Sequence, residues 1–221
     1  MEKQNNKITF LTDKLEFPPV DQASAEGLLA VGGDLSADRL LLAYSRGIFP
    51  WFNEDSLILW WSPDPRMILF PNKVRISRSM RKVIQRGYFS LSRNRCFERV
   101  IEECAQIRRT DQKGTWITEA MKKAYIELHH KGFAVSYEVW RDGDLVGGLY
   151  GVDLGHVFCG ESMFSKEDNA SKYALIMAAR ELEKENYSLI DCQLHTKHLE
   201  SLGAEEISRK RYIEILTSHA R

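Results

Sequence analysis

The sequence predicts an α/β (α+β) protein: a mainly antiparallel sheet with helices packed against it, preceded by a small tryptophan-rich unit. Three patterns carry this expectation. Two strand-like runs, residues 134–140 and 145–151, flank Arg141-Asp142-Gly143-Asp144, a sequence suited to a hairpin turn. A helix-period run over 169–185 places Ala174, Leu175, Ala178 and Leu182 at three- and four-residue spacing, and returns the chain to a further strand-like run at 189–193. The first third is loop-rich by contrast, with Trp51, Trp60 and Trp61 close together and Pro63 and Pro65 interrupting any continuing element. The domain boundary is placed there, dividing the chain into residues 1–64 and 65–221.

Taken in order, residues 27–33 form a short apolar run that ends in a double-glycine bend. Asp34 and Ser36 supply capping chemistry for a helix over 37–46, with Leu40, Leu41, Ala43 and Tyr44 on its apolar face and Gly47 just past its end. A short strand is expected at 67–70. Helices follow at 77–86, with Met80, Val83 and Ile84 inward, at 97–108, and at 118–131, where Thr118 caps and Gly132 terminates. Residues 157–162 extend the hairpin into a meander, and Gly147, Gly148 and Gly151 point to a bulge or a close backbone approach. A short helix at 197–202 and a last strand at 212–216 complete the expected fold.

A chain of 221 residues is long enough for a proper core, and 43% apolar with 28% charged residues is ordinary for a globular protein. Lys and Arg total 31 and Asp and Glu total 31, so the overall charge favours no partner. The beginning of the sequence has no hydrophobic signal region and no window approaches a membrane span, so a cytoplasmic protein is expected. Cys96, Cys104, Cys159 and Cys192 lack CxxC spacing and read as reduced thiols. The scattered histidines offer no ligand spacing, so no metal is expected. No GxSxG, GxGxxG or P-loop is present, and the turn at 165–170 holds two acids and no glycine, which disfavours coenzyme A as donor. No cofactor is expected.

The charge distribution says more than its sum. Arg78, Arg81, Lys82 and Arg86 share one predicted helix in a stretch with few acids. Such a run is usually a solvated face; here its weak opposition favours nucleic-acid contact. Trp51, set between Pro50 and Phe52, suits base stacking better than Trp60 and Trp61, which read as core, while Trp116 reads equally either way. The most informative positions are Glu161, Asp191 and Gln193. They stand in strand-like apolar runs where ionisable and amide groups are costly to bury without partners. Structural hydrogen bonding would explain them; so would a site that handles an amine, with a carboxylate at an ammonium and an Asp–Gln pair at the reacting nitrogen. Met163, Leu149, Ile190 and Leu175 are plain core on the first reading and the walls of an apolar pocket on the second.

The segments Gly27-Leu-Leu-Ala-Val-Gly-Gly-Asp-Leu35, Tyr44-Ser-Arg-Gly-Ile-Phe-Pro-Trp51, Trp60-Trp-Ser-Pro-Asp-Pro-Arg66, Gly114-Thr-Trp-Ile117, Phe158-Cys-Gly-Glu-Ser-Met-Phe-Ser165, Asn169-Ala-Ser-Lys172, Leu189-Ile-Asp-Cys-Gln193 and His198-Leu-Glu-Ser-Leu-Gly-Ala204 resemble those of leucyl/phenylalanyl-tRNA–protein transferases. The resemblance runs from about Phe17 to Tyr212. It implies a bacterial enzyme of the N-degron pathway, with a small N-terminal domain and a GNAT-like acyltransferase domain that uses no acetyl-CoA. It implies transfer of Leu or Phe, and Met less readily, from charged tRNA to an N-terminal Arg or Lys. Carried over by position, Asp191 and Gln193 would be the catalytic relay, and Glu161 would hold the acceptor's α-amino group. Trp51 and Trp116 would grip the 3′-terminal adenosine. Met163, Leu149, Ile190, Leu175 and Gly160 would shape the aminoacyl pocket, with Ala178 and Leu182 at positions where a well-known family member has phenylalanines in or near it. Thr196 stands where that member has an asparagine.

Two other readings compete: a GNAT-type N-acyltransferase with a different donor, and a noncatalytic tRNA-binding protein. The second accounts for the basic helix and Trp51 and leaves Glu161, Asp191 and Gln193 without a purpose. Nothing in the chain demands a dimer, and a monomer is expected.

Overall fold

A computed structural model describes residues 8–107 and 117–218. Two sheets organise them. The smaller holds β1 (Thr9–Leu11), β2 (Leu28–Gly32), β3 (Phe49–Pro50) and β4 (Leu59–Trp61) in the order β1-β2-β4-β3. Helix α1 (Ala37–Ser45) lies between β2 and β3 in sequence; the Ser36 hydroxyl accepts from the Arg39 N–H at its start. Trp60 is fully buried: its indole N–H donates to the Gly32 carbonyl at 2.8 Å, and Phe17 meets it edge-on with ring centroids 4.9 Å apart. Trp61 donates its indole N–H to the Trp51 carbonyl at 2.7 Å, which fixes the chain that carries Trp51.

The larger sheet has the order β11-β5-β10-β9-β8-β7-β6. Its strands are β5 (Arg66–Leu69), β6 (Ser90–Arg93), β7 (Ala134–Arg141), β8 (Asp144–Asp153), β9 (Val157–Ser165), β10 (Leu189–Gln193) and β11 (Glu205–Ile207). All neighbours are antiparallel except β9 and β10, which run parallel because α5 (Ala170–Lys184) carries the chain back between them. The meander of β7, β8 and β9 forms as its alternation predicts. Gly151 of β8 sits opposite a bulge in β9, where Glu161 is the extra residue, and a side chain at Gly151 would collide with the Cys159 carbonyl oxygen.

Alternation along these strands sends residues into two cores. On one face Tyr150, Val152 and Cys159 pack with α3 (Phe97–Gln106) and α4 (Glu119–His130); on the other, Leu149, Phe158 and Ile190 pack with Ala174, Leu175 and Ala178 of α5. Leu40, Tyr44 and Trp60 from the smaller sheet and α1 join the first of these cores. Helix α2 (Arg78–Arg86), capped by Ser77 and ended by a left-handed Gly87, buries only Met80 fully. Among the described residues no helix is long and apolar enough to cross a membrane.

The last expected strand is instead a helix. Residues 212–216 lie within α7 (Arg209–Thr217), where the Ser208 hydroxyl accepts from the Arg211 N–H and the two buried residues, Tyr212 and Leu216, are four apart. The run Tyr212-Ile213-Glu214-Ile215 imitates strand alternation, but the serine cap and burial at helical spacing decide the outcome. The strand at this end is β11, and β6 forms an additional edge. Both are short and weakly apolar, so hydrophobic periodicity does not reveal them.

Candidate active site

Where β9 and β10 diverge beyond their paired residues, a cavity of about 750 Å³ opens beside the small sheet. Trp51 lines it from one side; Leu149, Gly160, Met163, Leu175 and Ile190 line it from the other. Glu161, Asp191 and Gln193 supply polar groups to its wall. Thus two parallel strands bring together the three polar positions that the sequence singles out.

Asp191 is wholly buried and its oxygens are fully engaged. Arg66 donates from Nε to Oδ1 at 2.8 Å and from Nη2 to Oδ2 at 2.6 Å; the Tyr212 hydroxyl donates to Oδ2 at 2.8 Å and the Gln193 backbone N–H to Oδ1 at 2.9 Å. The Arg66 guanidinium lies 4.8 Å from the Phe49 ring centroid and 4.7 Å from that of Tyr212, and its Nη1 reaches the Gly47 carbonyl. Burial would lower its pKa, but the adjacent Asp191 charge and Tyr212 hold the guanidinium above its ordinary value. Four donors match the roughly four acceptor positions of a carboxylate. Asp191 thus grips the Gln193 main chain, while the Gln193 side-chain amide contacts Glu161.

Gln193 adopts φ +64°, in the left-handed region that L-residues seldom occupy, and a bulge separates its pairing from that of Asp191. This backbone turn carries the side chain toward β9. Its Nε2 donates to Glu161 Oε1 at 2.6 Å, and its Oε1 accepts no hydrogen bond among the described residues.

Glu161 is only 8% exposed. Besides Gln193 it accepts from the hydroxyl of Tyr44 on α1 at 2.7 Å and from that of Tyr125 on α4 at 3.0 Å, and the two tyrosine hydroxyls touch each other. Burial raises the Glu161 carboxyl to about 7; the three hydrogen bonds oppose the rise and the nearby Asp191 charge adds to it. Both tyrosine hydroxyls are pushed well above their ordinary value, first by burial and then by the Glu161 charge, so they remain donors.

Arg66, Tyr212, Tyr44 and Tyr125 are the participants that sequence reasoning missed. Arg66 and Tyr44 lie inside segments quoted above, where they read as a domain boundary and a helix face. Tyr125 reads as core, and Tyr212 is hidden by the mistaken strand. For the tyrosines the signal is a polar tip on a buried aromatic body, and for Arg66 a charged head taken out of water; each needs a partner.

The remaining sequence-predicted residues are distributed as follows. Ala178 and Leu182 are fully buried in the α5-side core and are absent from the cavity lining, so the inward face of α5 reaches the cavity at Leu175 and Ser171 instead. Arg78, Arg81, Lys82 and Arg86 are exposed on α2 and form no ion pair among the described residues. Trp116 lies outside the described residues. Cys192 lines the cavity, but burial pushes its thiol up and away from nucleophilic character. Among the described residues no group of three or more His, Cys, Asp or Glu side chains could hold a metal ion.

Comparison with known proteins identifies the kind of molecule that carries this site. A family model described as "Leucyl/phenylalanyl-tRNA protein transferase" matches residues 68–217, and one for the N-terminal domain of the same transferase matches residues 33–64. The chain belongs to this family. A leucyl/phenylalanyl-tRNA–protein transferase of Flavobacterium johnsoniae is 58% identical over 95% of this chain and 99% of its own length. One from Pseudomonas fluorescens is 52% identical over 94% of this chain and 92% of its own. Among solved structures, a GCN5-related N-acetyltransferase from Kribbella flavida aligns at a TM-score of 0.37 and 11% identity, over 76% of this chain and 60% of that one. The transferase family thus accounts for the chain from its small sheet to α7.

Proposed function

We propose that this protein moves leucine or phenylalanine, and methionine less readily, from aminoacyl-tRNA onto the N-terminal Arg or Lys of acceptor proteins, marking them for an N-degron pathway in the cytoplasm. The supporting observation is the pairing of an apolar cavity with a single unengaged amide oxygen, that of Gln193, at its polar wall. Leu149, Met163, Leu175 and Ile190 offer an apolar side chain a place away from water, and Trp51 offers a stacking surface for the terminal adenine.

An aminoacyl ester is already activated, so the reaction requires alignment more than a covalent enzyme intermediate. The acceptor's neutral α-amine attacks the ester carbonyl; the C–N bond forms, the C–O bond to the terminal ribose breaks, and the ribose oxygen takes up the proton that the nitrogen loses. Gln193 Oε1 accepts a hydrogen bond from the attacking nitrogen and fixes its lone pair toward the carbonyl. Asp191, with every acceptor position occupied, is a positioning residue. Arg66 and Tyr212 hold it in turn.

The direct test supplies radiolabelled leucyl-tRNA and a protein beginning with Arg. Label is expected in the acceptor, and not in the same protein beginning with an uncharged residue. Tight tRNA binding without transfer would instead favour a noncatalytic role.

The cationic face of α2 takes a separate place in this reading, as a docking face for tRNA phosphates away from the acceptor end. Replacing Arg78, Arg81 and Lys82 together by Glu should weaken charged-tRNA binding and flatten its salt dependence by roughly one unit of slope for each phosphate no longer neutralised. Transfer from a 3′-aminoacyl-adenosine, which lacks those phosphates, should be unchanged. Equal impairment with both donors would remove α2 from the tRNA path.

A further inference from the structure

We propose that Glu161 acts through Gln193, turning the glutamine amide so that its oxygen, and not its NH2 group, faces the attacking amine. The inference rests on the transfer reaction proposed above and assigns Glu161 a positioning role within it. The resemblance instead gives Glu161 the acceptor's α-amino group to hold. Three protein donors, from α1, α4 and β10, already occupy three of its roughly four acceptor positions.

The chemistry of the two groups sets the orientation. An ionised carboxylate only accepts hydrogen bonds, whereas a primary amide has one donating and one accepting end. Only one of the two amide orientations therefore fits against Glu161 Oε1 at 2.6 Å: Nε2 inward, Oε1 toward the cavity. The Gln193 main chain is held by Asp191 Oδ1 at φ +64°, and Asp191 is itself held by Arg66 and Tyr212. With the main chain so held, the contact to Glu161 sets which end of the amide faces the cavity. Tyr44 and Tyr125 keep the carboxylate from turning to follow a different partner.

Protonation dissolves this control. A neutral carboxyl group both donates and accepts, so either amide orientation then fits. The groups that face Glu161 are the hydroxyls of Tyr44 on α1 and Tyr125 on α4, Gln193 and Asp191 on β10, and the Cys159 thiol on β9 itself. No cation is among them to hold the charge, and burial places the titration at about 7. The fraction of enzyme with a correctly set Gln193 falls as pH drops through that value.

The closing experiment compares the unmodified protein with Glu161→Gln in steady-state transfer to an Arg-initiated peptide. A glutamine at 161 presents either end of its own amide, so it no longer dictates the orientation of Gln193. The expected result is a kcat lower by about 10- to 100-fold, the worth of one hydrogen bond to a charged partner, with the peptide KM within about twofold. The low-pH limb of kcat should also lose one titration relative to the unmodified protein. A raised peptide KM with kcat retained would mean that Glu161 binds the ammonium directly, and would overturn the proposal. Absence of transfer by the unmodified protein would refute the reaction itself, which is a different failure. A second measurement needs no Glu161 variant. The side-chain amide signal of Gln193, identified by its absence in Gln193→Ala, should lie downfield in 15N-resolved spectra and move as pH crosses about 7. A signal that stays fixed through that titration would also sink the proposal.

Discussion

Replacing Gln193 by alanine should slow single-turnover transfer from leucyl-tRNA by on the order of 10²–10³-fold, the usual cost of removing one preorganised polar group from a transition state. The protein should remain folded. Gln193 packs no apolar group into either core, and alanine meets the same backbone requirement at φ +64° that glutamine does. That requirement gives the prediction a second arm. A left-handed conformation costs an L-residue roughly 1–2 kcal/mol and costs glycine essentially nothing. Gln193→Gly should therefore lose transfer as fully as Gln193→Ala and yet melt at a higher temperature than the alanine variant. A stabilised, inactive glycine variant would show that the backbone strain at this position serves the reaction rather than the fold. Near-normal transfer by either variant would remove Gln193 from the mechanism.

Arg66→Met should be the most destabilising single substitution near the site. It leaves Asp191 fully buried with its principal cation gone, and breaking a buried pair from one side typically costs about 3–5 kcal/mol. For a chain of this size each kcal/mol lowers Tm by about 2–4 °C, so a fall on the order of 10 °C is expected by calorimetry. Removing both charges, as Arg66→Met with Asp191→Leu, should recover much of the lost stability, since an apolar pair of similar volume often replaces a buried ion pair without penalty. Activity should not return, because the Gln193 N–H then has no carboxylate to hold it. A double variant as unstable as the single one would show that packing of the guanidinium between Phe49 and Tyr212, not its charge, is what matters.

The contrast between what the sequence revealed and what it concealed follows from range. The meander, α5 and the return to β10 were legible because alternation, helical spacing and a turn sequence are local signals. Glu161, Asp191 and Gln193 were legible as a group because polar residues in apolar strands demand partners. Their partners were not. Arg66 is 125 residues from Asp191 along the chain, and Tyr44 is 117 from Glu161. No periodicity relates positions so far apart; only the sheet order places β5 beside β10 and brings α1 and α4 over β9. The contact made by the Gln193 side chain was hidden for a similar reason. Two residues apart on a strand, the side chains of Asp191 and Gln193 share a face, but the bulge at Cys192 and the left-handed Gln193 redirect the amide to the neighbouring strand. The strand expected at 212–216 failed because four residues of alternation cannot outweigh a serine cap and burial at helical spacing.

The tyrosine on α1 has an architectural implication. Tyr44, Trp51 and the Gly47 carbonyl all come from the stretch that forms the small sheet, yet they complete the surroundings of Glu161, the wall of the cavity and the seat of Arg66. A fragment starting at residue 65 would retain every strand of the large sheet and still be missing part of its reaction chamber. The two pieces cannot be swapped between relatives like interchangeable modules, because their seam runs through the chemistry. Chimeras joined at this seam should succeed only where both halves carry matching residues across it.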